Sequence, residues 1–249
     1  MKKHFLTIGI ALIIGIGMFS SLFEEQVSFT SRPAVEPDWT AIAAWPDIEA
    51  DEVEAIPDPN RTFTAIVLDD SGSMGSDINA AKEAVVASLA SMEPEDRLTV
   101  IALNAGEIIP FISVEQAAGV LPDRLARVMS DGGTPLTTAM QASRAALMQE
   151  AARSGGFGTY RILVTTDGVA DDENALNLEI EDIARRTPIQ VATIGVGISG
   201  NHILRRPDLA AFVAIDNVSQ LAAALRDAIA EEQTFSATTT FEGSDGTQD

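Results

Sequence analysis

Apolar, strand-like runs alternate with segments of helical period along most of this chain, and that alternation restricts it to parallel α/β architectures. Phe63-Thr64-Ala65-Ile66-Val67-Leu68 is a nearly continuous apolar run, as expected of a central strand covered on both faces. Further strand-like runs are Leu98 to Leu103, Tyr160 to Thr165, Ile189 to Ile194 and the short Ala211 to Ile215. Glu107 to Val114, interrupted by Pro110, reads as an edge strand, since proline cannot donate to a ladder. Between them, Ile78 to Met92 sets apolar residues at 78, 81, 85, 89 and 92 on one helical face. Gln116 to Met129 reads as a helix broken near Pro122, Thr137 to Arg153 as a long Ala-rich helix, and Glu173 to Arg186 as another. A last helix over Val218 to Ile229 follows Asn217, a suitable N-cap. These elements predict a doubly wound, mostly parallel six-stranded sheet with helices on both faces.

The stretch around which they are organised is Asp69-Asp70-Ser71-Gly72-Ser73, directly after the first strand. Asp69, Ser71 and Ser73 occupy alternate positions, so a tight, Gly-assisted loop can turn all three oxygens toward one point above the sheet. Carboxylate and hydroxyl oxygens of this kind suit a hard divalent cation such as Mg2+. Two later stretches can complete the set. Asp131-Gly132-Gly133-Thr134-Pro135-Leu136 puts a hydroxyl on a Gly-rich loop before a helix, and Thr165-Thr166-Asp167-Gly168 puts a carboxylate at the end of another apolar strand. The two glycines before Thr134 permit backbone angles that other residues avoid, so that loop can move. Asp70 is expected to point away from the ion and Asp131 to stabilise its own loop, while Thr165 and Thr166 are either donors to the site or simply the end of the strand.

D-x-S-x-S, a Thr in G-G-T-P-L and an Asp in T-T-D-G, in this order, resemble the metal-ion-dependent adhesion site of von Willebrand factor type A domains. The resemblance covers roughly residues 61 to 230, and no position of the five-residue pattern departs from the family's. It implies the metal ligands Asp69, Ser71, Ser73, Thr134 and Asp167, with Mg2+, or Mn2+ or Ca2+, as the ion, and a Rossmann-like sheet of strand order 3-2-1-4-5-6. In that order the strands ending at Asp69 and Asp167 are neighbours, which brings the two carboxylates together at the carboxyl edge where ligands of such sheets bind. It also implies a function: protein binding in which the partner supplies a carboxylate to the metal, without catalysis. A regulatory subunit of a membrane or periplasmic machine would use the same site.

Other chemistries fit less well. Ser71-Gly72-Ser73-Met74-Gly75 approximates a nucleophile elbow, and the order Ser73, Asp167, His202 matches that of α/β-hydrolase triads. However, Ser71 replaces the first elbow glycine, Ser73 follows the first strand, and Thr134 is left without a role. His202 reads most simply as a surface-loop residue. The loop Gly72 to Gly75 lacks the lysine of a phosphate-binding loop.

With 16 basic and 37 acidic residues and a formal charge of −21, the chain is a poor partner for nucleic acid or anionic membranes. Absence of cysteine excludes disulfides and thiolate sites. Residues 1–23 contain Lys2, Lys3 and then an uncharged, mostly apolar run from Phe5 to Phe23 that stops at Glu24. As a helix this run rises roughly 28 Å, near the thickness of a bilayer's hydrocarbon core. Its end, Gly17-Met18-Phe19-Ser20-Ser21, lacks a small-x-small cleavage pattern. It is therefore expected to be a transmembrane signal anchor, with the basic end cytoplasmic and the domain on the periplasmic or extracellular side; secretion after cleavage is the alternative. Residues 24–60, acidic and dotted with proline, read as a linker, although a tryptophan there, Trp39 or Trp45, is expected to pack on the domain's flank. Residues 61–232 form the domain and residues 233–249 a polar tail.

Overall fold

The computed structural model describes residues 36–50, 53–54, 56–198 and 202–235. After a short helix α1 (Trp39–Ala44), the order is β1 (Thr62–Leu68), α2 (Asp77–Ser88), β2 (Arg97–Ala102), β3 (Gly106–Ser113), α3 (Val114–Leu125), α4 (Leu136–Arg153), β4 (Thr159–Thr166), α5 (Glu173–Arg186), β5 (Gln190–Val196), β6 (Ala211–Ile215) and α6 (Leu221–Phe235). The strands form one sheet in the order β3-β2-β1-β4-β5-β6. All pairs are parallel except β2 with β3.

The nearly continuous apolar character of β1 follows from its place at the centre. Ile66 and Leu68 point into a core shared with Ala81 and Val85 of α2, Leu121 of α3 and Leu225 of α6. Phe63, Ala65 and Val67 point into a second core with Leu136, Met140 and Leu147 of α4 and Ile180 and Ile183 of α5. Successive residues of a strand face opposite sides, so a strand covered on both sides is apolar at nearly every position; the exception is the buried Thr64, whose hydroxyl accepts from Arg161 Nε at 2.7 Å.

Several expected boundaries move. The helix expected from Gln116 begins at Val114, because Ser113 and Gln116 form a capping box: the Ser113 side chain accepts from Gln116 N–H at 3.2 Å, and the Gln116 side chain accepts from Ser113 N–H at 3.3 Å. The helix also runs through Pro122 instead of breaking there. Burial of Ala117, Leu121 and Leu125 along one face anchors both sides of the proline, and Ala126 N–H still bonds the Pro122 carbonyl at 3.0 Å. β5 continues beyond Ile194 through Gly195 to Val196. Asn217 caps as expected, accepting from Ser219 N–H at 3.1 Å, but the turn it starts is 3₁₀ before α6 begins.

The segment before the domain is not featureless. Asp38 caps α1, its carboxylate accepting from Ala41 N–H at 3.1 Å, and Asp38 N–H donates to the carbonyl of Arg185 at the end of α5 at 2.8 Å. Trp45 meets the Tyr160 ring edge to face at 4.8 Å, whereas Trp39 is exposed. Among the described residues no helix is long and apolar enough to cross a membrane. Residues 1–23, on which the expected anchor rests, lie outside them, as does most of the tail after residue 233.

Candidate metal centre

The register of the central strands builds the site. Leu68 lies opposite Thr165, so one step further Asp69 leaves β1 beside Thr166 of β4. Both oxygens of the fully buried Asp69 carboxylate are held: one accepts from Ser71 N–H at 2.9 Å, the other from the Thr166 hydroxyl at 2.7 Å. The Ser71 and Ser73 hydroxyls are 2.9 Å apart, and Ser73 Oγ donates to Asp167 Oδ1 at 2.7 Å. Gly168 packs its bare Cα against the remaining donors, since a Cβ built there would lie 3.6 Å from Thr134 Oγ1 and 3.7 Å from Ser73 Oγ. Asp69, Ser71, Ser73, Thr134 and Asp167, from three separate loops, are thus brought to one place at the carboxyl edge of the sheet. Asp69, Ser71 and Thr134 are buried beneath the exposed Ser73 and the half-buried Asp167, so the cluster opens to solvent on one side.

The neighbouring residues divide as the sequence suggests. Asp70 turns away, accepting from Asn104 N–H at 2.7 Å and Ala105 N–H at 3.0 Å in the turn after β2. Asp131 accepts from Gly132 N–H within its own loop at 2.8 Å. Thr166 supports Asp69, while Thr165 bonds the Val67 carbonyl at 3.2 Å and simply joins two strands.

One expectation, that of His202, needs correction, and the Thr134 loop has more partners than its glycines suggest. The Thr134 loop is latched on three sides and does not stand free. Gly72 N–H donates to the Gly132 carbonyl at 3.1 Å, and the Asn104 amide donates to the Gly133 carbonyl at 3.0 Å. Asp171 grips Thr134 in both directions, its carboxylate accepting from Thr134 N–H at 2.9 Å and its own N–H donating to the Thr134 carbonyl at 3.1 Å. Gly133 is required by close approach, because a Cβ there would sit 2.6 Å from the Asp171 carboxylate. His202, expected on the surface, is buried, with Nε2 2.8 Å from the Gly168 carbonyl and Nδ1 accepting from Leu204 N–H at 3.2 Å. Both ring nitrogens are engaged with backbone, and the Ser73 hydroxyl reaches Asp167 directly, so Ser73, Asp167 and His202 do not form a relay.

Sequence reasoning missed Asn104 and Asp171, and it weighed His202 only as a triad member or a surface-loop residue. None belongs to the spaced pattern, and their roles arise only where one loop crosses another.

The charged side chains that act on Asp167 are both negative. Asp167 is pushed above the ordinary carboxylate value of 3.8, first by burial and then by the negative charges of Asp69 and Asp77, while the Ser73 hydrogen bond works the other way. Among the described residues no group of three or more His, Cys, Asp or Glu is arranged to hold a metal; this cluster has two carboxylates, and its other donors are hydroxyls. That donor set, hard and all oxygen, fits Mg2+.

Residues 64–169, which include all five of these residues, match the family model of the von Willebrand factor type A domain. Among curated proteins, an uncharacterised protein of Synechocystis is 29% identical over 136 residues, or 53% of this chain and 31% of its own length. Cis-4-hydroxycyclohexanecarboxylate dehydrogenase of Sinomonas cyclohexanicum is 34% identical over 113 residues, 43% of each chain. The chain thus spans less than half the length of either relative. Among solved structures, a von Willebrand factor type A protein from Catenulispora acidiphila aligns with a TM-score of 0.58 at 16% identity, covering 72% of this chain and 46% of that one. Manganese-loaded TRAP protein of Plasmodium vivax aligns with a TM-score of 0.52 at 18% identity, covering 70% and 74%. The chain therefore carries a domain of the von Willebrand factor type A fold, and within it residues 64–169 match that family's own model.

Proposed function

We propose that Asp69, Ser71, Ser73, Thr134 and Asp167 hold a divalent cation, Mg2+ or in its place Mn2+ or Ca2+, and that through it the domain binds a protein partner that supplies a carboxylate. The observation that carries this reading is the contact of Ser73 Oγ with Asp167 Oδ1 across 94 residues of sequence, in a cluster where the nearby charges, those of Asp69 and Asp77, are negative. Burial and the like charge of Asp69 raise the pKa of Asp167, and a cation between the two carboxylates would relieve that. The chain's own residues hold and orient the ion: Thr166 and the Ser71 amide fix Asp69, and Asp171 fixes Thr134. When bound, the ion would supply the electrophilic charge to which a carboxylate is drawn. TRAP protein of Plasmodium vivax, similar in fold, has been determined with manganese. The role is binding without catalysis. Residues 1–23 tether the domain to the membrane on its non-cytoplasmic side, where an adhesion partner or a membrane machine would meet it.

Thermal unfolding with and without Mg2+ tests the ion. Binding to the folded state alone stabilises by mass action, about 2.7 kcal/mol at a hundred times the dissociation constant. Mg2+ is expected to raise the melting temperature of the wild type and not that of Asp69→Ala. Equal shifts in the two proteins would remove Asp69 from the site. Recovery of a partner in Mg2+ and its loss in EDTA would test the second half of the reading.

A further inference from the structure

The buried histidine beside the site is not one of its proposed ligands, yet its ring is fixed at both ends. Nδ1 of His202 accepts from Leu204 N–H, so the proton is on Nε2, which donates to the Gly168 carbonyl at 2.8 Å. The ring is held from behind by Phe212 of β6, at 5.8 Å between centroids, and the Arg205 guanidinium lies 4.9 Å above the other ring of that pair, Phe212. The segment joining β5 to β6 is therefore fastened to the turn that carries Asp167, although 34 residues separate His202 from Gly168.

Gly168 is where that fastening matters. Its N–H donates to the Thr166 hydroxyl at 3.3 Å, and that hydroxyl in turn donates to Asp69. Its carbonyl is held by His202, and its bare Cα faces the Thr134 and Ser73 hydroxyls. Asp167 lies between these two anchors. The Gly168 carbonyl also lies 3.4 Å from the Thr166 hydroxyl, but the proton of that hydroxyl goes to Asp69 at 2.7 Å, so His202 is the donor that holds it; with that bond released the peptide plane after Gly168 can rotate, and the turn that carries Asp167 loosens with it.

We infer that His202 is a positioning residue for the metal centre: its Nε2–H holds the Gly168 carbonyl and thereby sets the Asp167 carboxylate against the Ser73 and Thr134 hydroxyls. The inference rests on the cation reading above. A group that orients a metal ligand is worth about 10- to 100-fold in metal affinity.

Two amide variants separate the ring's two contacts. Gln places its amide nitrogen near the Nε2 position and can still donate to Gly168, whereas Asn reaches only as far as Nδ1 and cannot. Mg2+ affinity by calorimetry is expected to stay within about threefold of wild type in His202→Gln and to fall at least about tenfold in His202→Asn. Hydrogen exchange in EDTA gives a readout without metal, with the amides of residues 166–171 losing protection in His202→Asn and keeping it in His202→Gln. A purely structural role would lower the melting temperature of both variants together and leave the Mg2+ affinity of the folded protein unchanged. A folded His202→Asn protein with wild-type Mg2+ affinity and wild-type exchange over 166–171 would overturn this inference while leaving the cation reading intact. Wild-type protein that takes up no Mg2+ would overturn the cation reading and this inference with it.

Discussion

Asp167 sits where burial and two neighbouring carboxylates act against its negative charge, while the Ser73 hydroxyl and a backbone hydrogen bond act for it. Its pKa in the folded protein is raised above its value of 3.8 in an unconstrained chain. The native state therefore binds that proton more tightly than the unfolded state, and this residue's contribution to stability is greatest below pH 3.8 and declines as pH rises through the raised folded value. Asp167→Asn keeps the shape and removes the titration. In EDTA, the melting temperature of Asp167→Asn relative to wild type is expected to climb from pH 4 to pH 7, whereas with saturating Mg2+ the wild type regains the advantage because the ion favours the ionised form. Parallel melting curves for the two proteins in EDTA would show that Asp167 carries no such burden. Asp69, Ser71 and Ser73 were legible in the spacing of one loop, and Thr134 and Asp167 in the resemblance of the ordered motifs to a known family. Asp171 and His202 were not, because an aspartate and a histidine in loops have no periodicity, and each acts on a backbone group of a distant turn.

Helix α3 illustrates how elements compensate for poor local sequence. It contains Gly119 and Pro122, which cost helical stability, yet it remains continuous because its capping box and its buried stripe of Ala117, Leu121 and Leu125 hold both ends. Ser113→Ala removes the acceptor for Gln116 N–H and is expected to lower stability by about 1 kcal/mol. Gly119 is exposed and a Cβ there would meet nothing within 4 Å, so Gly119→Ala is expected to raise stability by roughly 0.5–1 kcal/mol. Denaturant titration with equal slopes measures both. A neutral Ser113→Ala would mean that the buried stripe, and not the cap, sets where the helix starts. The expectation of a break at Pro122 failed for a physical reason: one missing N–H is a local loss, and the burial of Leu121 and Leu125 on either side outweighs it.

For the molecule as a whole, the membrane assignment turns on residues 5–23, whose apolar length suits a bilayer and whose end lacks a cleavage pattern. The mature protein is expected to keep this segment and to fractionate with membranes, with the domain accessible to added protease only from the non-cytoplasmic side. An intact mass that begins between Ser20 and Gln26, in a soluble protein, would establish cleavage instead. The acidic linker contributes more to the domain than its composition suggests: α1 is short and carries no buried residue, but Asp38 and Trp45 seat it against the end of α5 and the Tyr160 ring. By itself the sequence determined the α/β class and the central strands, because a strand buried on both faces is apolar at nearly every position, and it marked D-x-S-x-S as one oxygen-rich loop; Thr134 and Asp167 joined that loop through the resemblance of the ordered motifs. Tertiary structure alone decided which loops meet. The pairing of β1 with β4 puts Thr166 beside Asp69, the meeting of the loops that precede α4 and α5 puts Asp171 beside Thr134, and the connection from β5 to β6 puts His202 against Gly168. These contacts join residues 34 to 97 positions apart, and at that separation no periodicity or capping rule constrains the chain; only the packing of two cores around one sheet does.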